Sequence, residues 1–408
     1  MVCKGIPTFM SEKVKILFLF NQILDDHSFA GGEIRGINIF KLFKNDPSYE
    51  VSVMIPKVSE TAFLYTPGLF TGKSFPEKLI YKKNINRDGF IIFLLYCLRT
   101  LESVKYAGAN FRVVYSTGDF FCNTFFAFLF KLFHPQSLWV NCVHHINESP
   151  LRRKSSSLAN SLVSFLSQNL SFVLMKTNGN LIIVTNSLVE ENLIGCGFRP
   201  KDIVVAGNGL DIDYIKKVAE EFRDKNPRNR ICYFGRLNLT KGILDLPKIF
   251  IKVLKVYPSY YLDIVGDAEE EFLETVKREF LKYGCLDKVV FHGFLGSREE
   301  VFKVVLRSKV VIIPSYEEGW CLSLFEAAIL EKPIIAYKLP VFKEMFTGAL
   351  KMAEIGNTKE FSDLVLEVID PNNREQVNFC IKKCYQISSK YEWGSVFEVE
   401  KKSLESLL

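Results

Sequence analysis

A single rhythm runs through both halves of this 408-residue chain: a short β-branched or aromatic run, a turn containing Gly, then a helix-length stretch. In the first half the strand-like runs are Val14–Phe20, Val51–Ile55, Arg112–Ser116, Leu138–Val143, Leu181–Thr185 and Ile203–Ala206. In the second they are Ile231–Phe234, Tyr260–Val265, Lys288–His292, Val310–Pro314 and Pro333–Ala336. Helix-length segments such as Gly36–Phe43, Leu188–Gly195, Leu244–Tyr257, Glu269–Tyr283 and Glu299–Arg307 separate them. Apolar strands alternating with helices predict parallel sheets covered on both faces, because such strands leave no polar face for water. Two α/β sheets, one per half, fit the length. The boundary is expected near Asn208–Leu210 or in the polar stretch Arg223–Arg230.

Composition removes the competing classes. Hydrophobic residues make up 48% and charged residues 24%, which excludes disorder, collagen and a small disulfide scaffold. The ten cysteines include no CxxC, and the pair Cys380 and Cys384 has no second pair to complete a zinc set. Reduced thiols in a cytoplasmic protein are the expectation. The N-terminal Met-Val-Cys-Lys-Gly-Ile-Pro-Thr has no secretory h-region. The apolar runs Phe90–Leu98 and Phe120–Phe133 are too short or too interrupted to cross a bilayer, so no span is expected. Residues 1–210 carry a net +7 and residues 211–408 a net −1, so all the excess positive charge of the +6 chain lies in the first half. That half, which also holds most of the Phe-rich segments, is expected to face something anionic, with a membrane surface the partner considered and no nucleic acid.

In open parallel sheets, ligands bind beyond the carboxyl ends of the strands. Each such slot here is polar or Gly-rich. After the run ending at Phe234 come Gly235-Arg236 and Lys241-Gly242. A guanidinium fork and an ammonium on one loop can grip one diphosphate, and Gly242 lets a following helix lend its first amides. After Pro314 comes Ser315-Tyr316-Glu317-Glu318-Gly319-Trp320-Cys321-Leu322-Ser323-Leu324-Phe325-Glu326. Glu318 and Glu326 could bracket a sugar nucleotide, one near the sugar and one on ribose hydroxyls, with Glu317 a solvated neighbour. Ser323-x-x-Glu326 is equally a capping box, in which Glu326 only satisfies a backbone amide. His144-His145 follows an apolar strand, and one of the two faces the crevice. His27 and His292 have no ligand spacing to them. Gly31-Gly32 opens a helix and offers amides to an anion or hydroxyl. GxGxxG and GxxxxGK[ST] are both lacking, which weakens oxidoreductase and P-loop readings.

In order and separation these pieces resemble the GT-B glycosyltransferases of family 4. The resemblance runs from Gly31-Gly32 through His144, Ile183-Val184-Thr185-Asn186-Ser187, Gly207-Asn208-Gly209-Leu210-Asp211, Gly235-Arg236-Leu237 and Lys241-Gly242. It continues through Ile264-Val265-Gly266, Phe291-His292-Gly293 and Pro314-Ser315 to Glu318-Gly319-Trp320 and Glu326-Ala327. It implies two Rossmann-like domains facing a cleft: residues 1–209 for the acceptor, 210–390 for the donor, and 391–408 as a helix packing back on the first. It further implies a retaining, metal-independent transfer from a UDP- or GDP-sugar to a glycan or lipid-linked acceptor on the cytosolic membrane face, without a cofactor. Arg236 and Lys241 would hold the diphosphate, Glu326 the ribose and Glu318 the donor sugar. Backbone at Gly235, Gly319 and Trp320–Leu322 would approach the phosphate. His144, or His145 in the alternative register, would lie beside the reacting sugar, with Gly31 and Gly32 near the phosphate and acceptor. Cys321 stands where the family usually has Gly, which narrows the space at the phosphate. That departure leaves a catalytically silent sugar-nucleotide-binding subunit as the alternative.

Overall fold

A computed structural model describes residues 12–22, 31–55, 89–106, 108, 110–147, 149–151, 158–222 and 229–408. His27, most of the loop between Asn21 and Glu33, and most of the polar stretch after Arg223 lie outside them. In the first half, six parallel strands make one sheet: β1 (Val14–Leu19), β2 (Tyr49–Met54), β3 (Val113–Ser116), β4 (Leu138–Val143), β5 (Leu181–Val184) and β6 (Ile203–Val205), in the order β2-β1-β3-β4-β5-β6. The second half repeats the design with β7 (Arg230–Phe234), β8 (Tyr261–Val265), β9 (Val289–Gly293), β10 (Val310–Ile313), β11 (Ile334–Tyr337) and β12 (Lys351–Ala353), ordered β12-β11-β10-β7-β8-β9. The eleven expected runs all correspond to strands. The twelfth, β12, is a three-residue edge strand whose sequence Lys-Met-Ala carries no strand signal.

Side chains alternate across each sheet, so each sheet has two cores. In the first, Ile16, Phe18 and Tyr115 point to one face and Leu17, Leu19 and Val114 to the other. Phe18 stacks on Tyr115 at 4.6 Å, and Phe43 meets Phe397 edge-on at 4.8 Å. Phe397 belongs to the helix Trp393–Glu405, whose Val396, Phe397 and Leu404 complete the first half's core. The chain therefore crosses between the halves twice. The two crossings lie side by side: Leu210 N donates to Tyr391 O at 2.8 Å and Trp393 N to Leu210 O at 3.2 Å.

A buried ionic cluster pins the returning helix. The Arg35 guanidinium pairs with Glu400, and its Nε donates to Gly207 O at 2.9 Å. The Tyr115 hydroxyl donates to the other Glu400 oxygen at 2.6 Å. The expectation about membrane-length segments needs correction. The helix Leu158–Asn178 has 21 residues with mean hydropathy 1.3, long and apolar enough by length and composition to cross a bilayer. Here it forms the crossover between β4 and β5, two neighbouring parallel strands of one sheet, so it lies along that sheet.

Candidate functional site

The second sheet reverses its strand order between β7 and β10, and the loops after these strands carry the expected donor residues. Three glycines let the loops close up. Gly235 and Gly266 have φ of +152° and +139°, and a Cβ on Gly266 would stand 1.9 Å from Gly235 O. Gly242 has φ +67°, and its Cβ would stand 1.8 Å from Pro314 O. Gly242 thus serves the approach of two loops. The helix it was expected to open begins only at Leu246, after two short 3-10 turns. Across this contact Lys241 Nζ reaches Glu318 Oε2 at 2.6 Å, and Ser315 Oγ donates to Glu318 Oε1 at 2.8 Å. Asn238 Oδ1 accepts from Lys241 N at 3.1 Å, and the Tyr233 hydroxyl donates to Arg236 O at 2.8 Å, fixing the loop. Arg236 is exposed, and among the described residues its guanidinium makes no ion pair.

Gly319, Trp320 and Cys321 lead into the helix Leu322–Ile329. Its N-cap is Cys321, and no side chain caps it. The capping-box alternative for Glu326 is therefore overturned. Glu326 instead lies buried in an ion pair with Arg298, which opposes the rise in its carboxyl pKa that burial causes. The expected effect of Cys321 also changes. Its thiol turns into the second half's core beside Ser323 Oγ at 3.4 Å, while its backbone takes the left-handed conformation, φ +70°. The substitution therefore acts through backbone strain more than through bulk at the surface. Trp320 is buried as well, stacked on Phe325 at 4.5 Å.

The first half meets this turn at its own strand ends. Gly319 lies against the strand β4 exit: a Cβ there would be 2.7 Å from His144 O and 3.0 Å from His145 Cβ. Asn186 Nδ2 donates to Gly319 O at 2.7 Å across the interface. A Cβ on Gly31 would touch Leu322 at 3.6 Å, and one on Gly32 would stand 2.8 Å from the His144 ring. His144 is thus the histidine against the Gly31-Gly32 turn, while His145 is exposed. His144 Nε2 lies 2.9 Å from Thr117 O, so Nε2 carries the proton and Nδ1 is bare, 3.8 Å from Cys142 Sγ. Burial first, then the Arg35 charge, lower its pKa and keep the ring neutral. Beside it Gln168 Nε2 donates to Asp119 Oδ2 at 2.7 Å and to His145 O at 2.9 Å. Burial raises the Asp119 carboxyl, with Gln168 acting against it.

Four residues of this constellation had no assigned role in the sequence reading. Asn186 and Asp119 sit just past strand ends, where the strand-end rule could have found them. Thr117 acts through its backbone. Arg298 lies on a different helix from Glu326 and left no local signal.

Residues 213–383 match the family model described as glycosyl transferases group 1. Similar sequences include glycogen synthase of Mycobacterium tuberculosis, 25% identical over 167 residues, covering 40% of this chain and 38% of the synthase. The processive diacylglycerol alpha-glucosyltransferase of Acholeplasma laidlawii is 24% identical over 212 residues, covering 48% of this chain and 60% of that enzyme. The match thus spans less than two thirds of either relative. Among solved structures, Anabaena HepE in complex with UDP and glucose superposes with a TM-score of 0.74 at 17% identity, over 96% of this chain and all of HepE. The apo lipopolysaccharide outer core galactosyltransferase WaaB gives a TM-score of 0.67 at 16% identity, over 97% of this chain and 100% of WaaB. The likeness is one of fold, two Rossmann-like halves in the GT-B arrangement.

Proposed function

We propose, from a group 1 glycosyltransferase domain over residues 213–383, that this chain is a retaining glycosyltransferase. It moves a sugar from a UDP- or GDP-sugar held by the second half to a glycan or lipid-linked acceptor presented by the first, at the cytosolic face of a membrane. The observation that carries this reading is the Lys241–Glu318 pair at the sheet's reversal point, beside the exposed Arg236. HepE, of the same fold, is described with UDP and with UDP-glucose bound, which supports the donor class. Arg236 and Lys241 supply fixed positive charge where the bond from the sugar C1 to the departing phosphate oxygen breaks, the role a metal ion plays elsewhere. The acceptor oxygen bonds to C1 on the same face, and its proton passes to the departing phosphate. Glu318 orients sugar hydroxyls and Glu326 the ribose. The neutral His144 ring packs beside the sugar.

The test is a panel of UDP-, GDP- and ADP-sugars with membrane extract as the acceptor source. Transfer, or slow donor hydrolysis, is expected with at least one donor. Neither with any donor rejects the reading. Lys241→Ala and Glu326→Gln should weaken donor binding about tenfold or more, as loss of a charge-assisted contact does. Their melting temperatures should fall less than their affinities. The strained Cys321 favours a second reading, a silent sugar-nucleotide-binding subunit, which tight donor binding without turnover would support.

A further inference from the structure

Two helices on one face of the first sheet turn a row of apolar side chains outward and bury polar ones beneath. The helix Leu158–Asn178 buries Ser161, Gln168 and Ser171 against the protein together with Phe172 and Met175. It turns Leu158, Leu162, Leu166, Leu170 and Val173 outward, each between 42% and 61% exposed. Its neighbour Gly89–Ser103 buries Arg99, Thr100 and Ser103 alongside Leu95 and Tyr96, and exposes Phe90, Ile91, Leu94, Leu98 and Leu101. The inward polar groups are bonded. Thr124 Oγ1 donates to Ser171 Oγ at 2.9 Å, Thr100 Oγ1 to Tyr96 O at 2.9 Å and Ser103 Oγ to Arg99 O at 2.8 Å. A helix on the outside of a water-soluble domain has the opposite polarity. Both outward rows recur every three or four residues, so each is one continuous stripe, about 22 Å long on the longer helix.

We infer that this face seats the first half on a bilayer containing anionic lipid. Apart from Phe90 the stripes are aliphatic, and they lack the Tyr, Trp and Arg that protein interfaces concentrate. Both helices return the chain between parallel strands, so their C-terminal ends lie at one edge, and each end carries an exposed lysine, Lys105 and Lys176. An aliphatic face edged by lysines matches hydrocarbon below a negatively charged headgroup layer. At its other end the face reaches the exposed Phe120, which packs on Gly118 next to the His144 ring. A lipid-linked acceptor lying in that bilayer therefore has a short path to His144. This placement deepens the reading of a membrane-borne acceptor, but its test needs no turnover.

The experiment is co-sedimentation of the full chain with vesicles of phosphatidylcholine alone and of phosphatidylcholine with phosphatidylglycerol. Binding is expected to both, stronger to the anionic vesicles. The triple variant Leu162→Gln, Leu166→Gln, Leu170→Gln should bind about tenfold or more weakly. Lys105→Gln with Lys176→Gln should lose the preference for anionic lipid. UDP titration of each variant, unchanged from wild type, reports an intact fold and donor site and separates this proposal from the transferase reading. Three results would overturn the inference: no binding to either vesicle, equal binding by the triple variant, or, without vesicles, a wild-type dimer that the triple variant converts to monomer. The last would assign the face to a second copy of this chain.

Discussion

At position 321 a side chain occupies backbone that favours glycine, with φ +70° and ψ +72°. For an L-residue this conformation costs about 1–2 kcal/mol. Cys321→Gly relieves that cost but removes a thiol from the core, so net stability in urea should change by about 1 kcal/mol or less. If strain at the turn limits donor binding, the same variant should bind nucleotide severalfold more tightly in a titration, and unchanged affinity would set that idea aside. His144 yields a pH prediction. Burial and Arg35 lower its folded pKa below the ordinary value of 6.5, with Asp119 and Glu33 pulling the other way. The folded ring resists protonation while the unfolded one accepts it. Its share of stability is therefore full above about pH 6.5 and declines as pH falls below that value. His144→Asn should flatten the fall in urea midpoint between pH 7 and 5 relative to wild type. Lys241, Glu318 and His144 were legible because each sits just past an apolar strand, where a parallel sheet holds its ligand. Arg298 was not. Its partnership with Glu326 depends on how two helices pack, and an Arg among glutamates on a helix looks like any solvated face.

At the level of elements, periodicity located every strand except β12 and gave both sheets their parallel character. Polarity misled where a helix inverts it. In Leu158–Asn178, serines and leucines alternate at helical spacing, so a reader counting apolar residues sees no span, and one expecting leucines inward assigns the wrong face. The helix Trp393–Glu405 poses a similar problem. Glu400 lies among Glu398, Lys401 and Lys402 and looks solvated, yet it is 1% exposed beneath Arg35 and Tyr115. Removing one partner of a buried ion pair leaves an uncompensated charge, worth about 3–5 kcal/mol. Glu400→Ala should lower unfolding free energy by about that much in a denaturant titration, whereas Lys401→Ala, whose bond to Asp46 is partly exposed, should cost about 1 kcal/mol or less. Equal effects would mean that Glu400 is not the anchor of the returning helix.

Across the whole molecule, the charge division has a structural counterpart. The positive half carries the inverted helices, and the nearly neutral half carries the loop pair Lys241–Glu318. Among the described residues the halves meet along the cleft, where Gly319 approaches His144 and Asn186 and Ser187 donates to Glu344, and they are joined covalently at the paired crossings at Leu210 and Tyr391–Trp393. A single connecting chain would let one half swivel freely on the other. Two chains bonded edge to edge leave one easy motion, a fold about the line through both, and resist twist and slide. Arg35 holds Gly207 O, so that line is fixed to the first half. Any opening of the cleft would then follow one track, and closing it would bring Gly319 back beside His144. A leaving group and an incoming hydroxyl carried on opposite halves would meet in the same alignment in every cycle, whatever the length of the acceptor behind it.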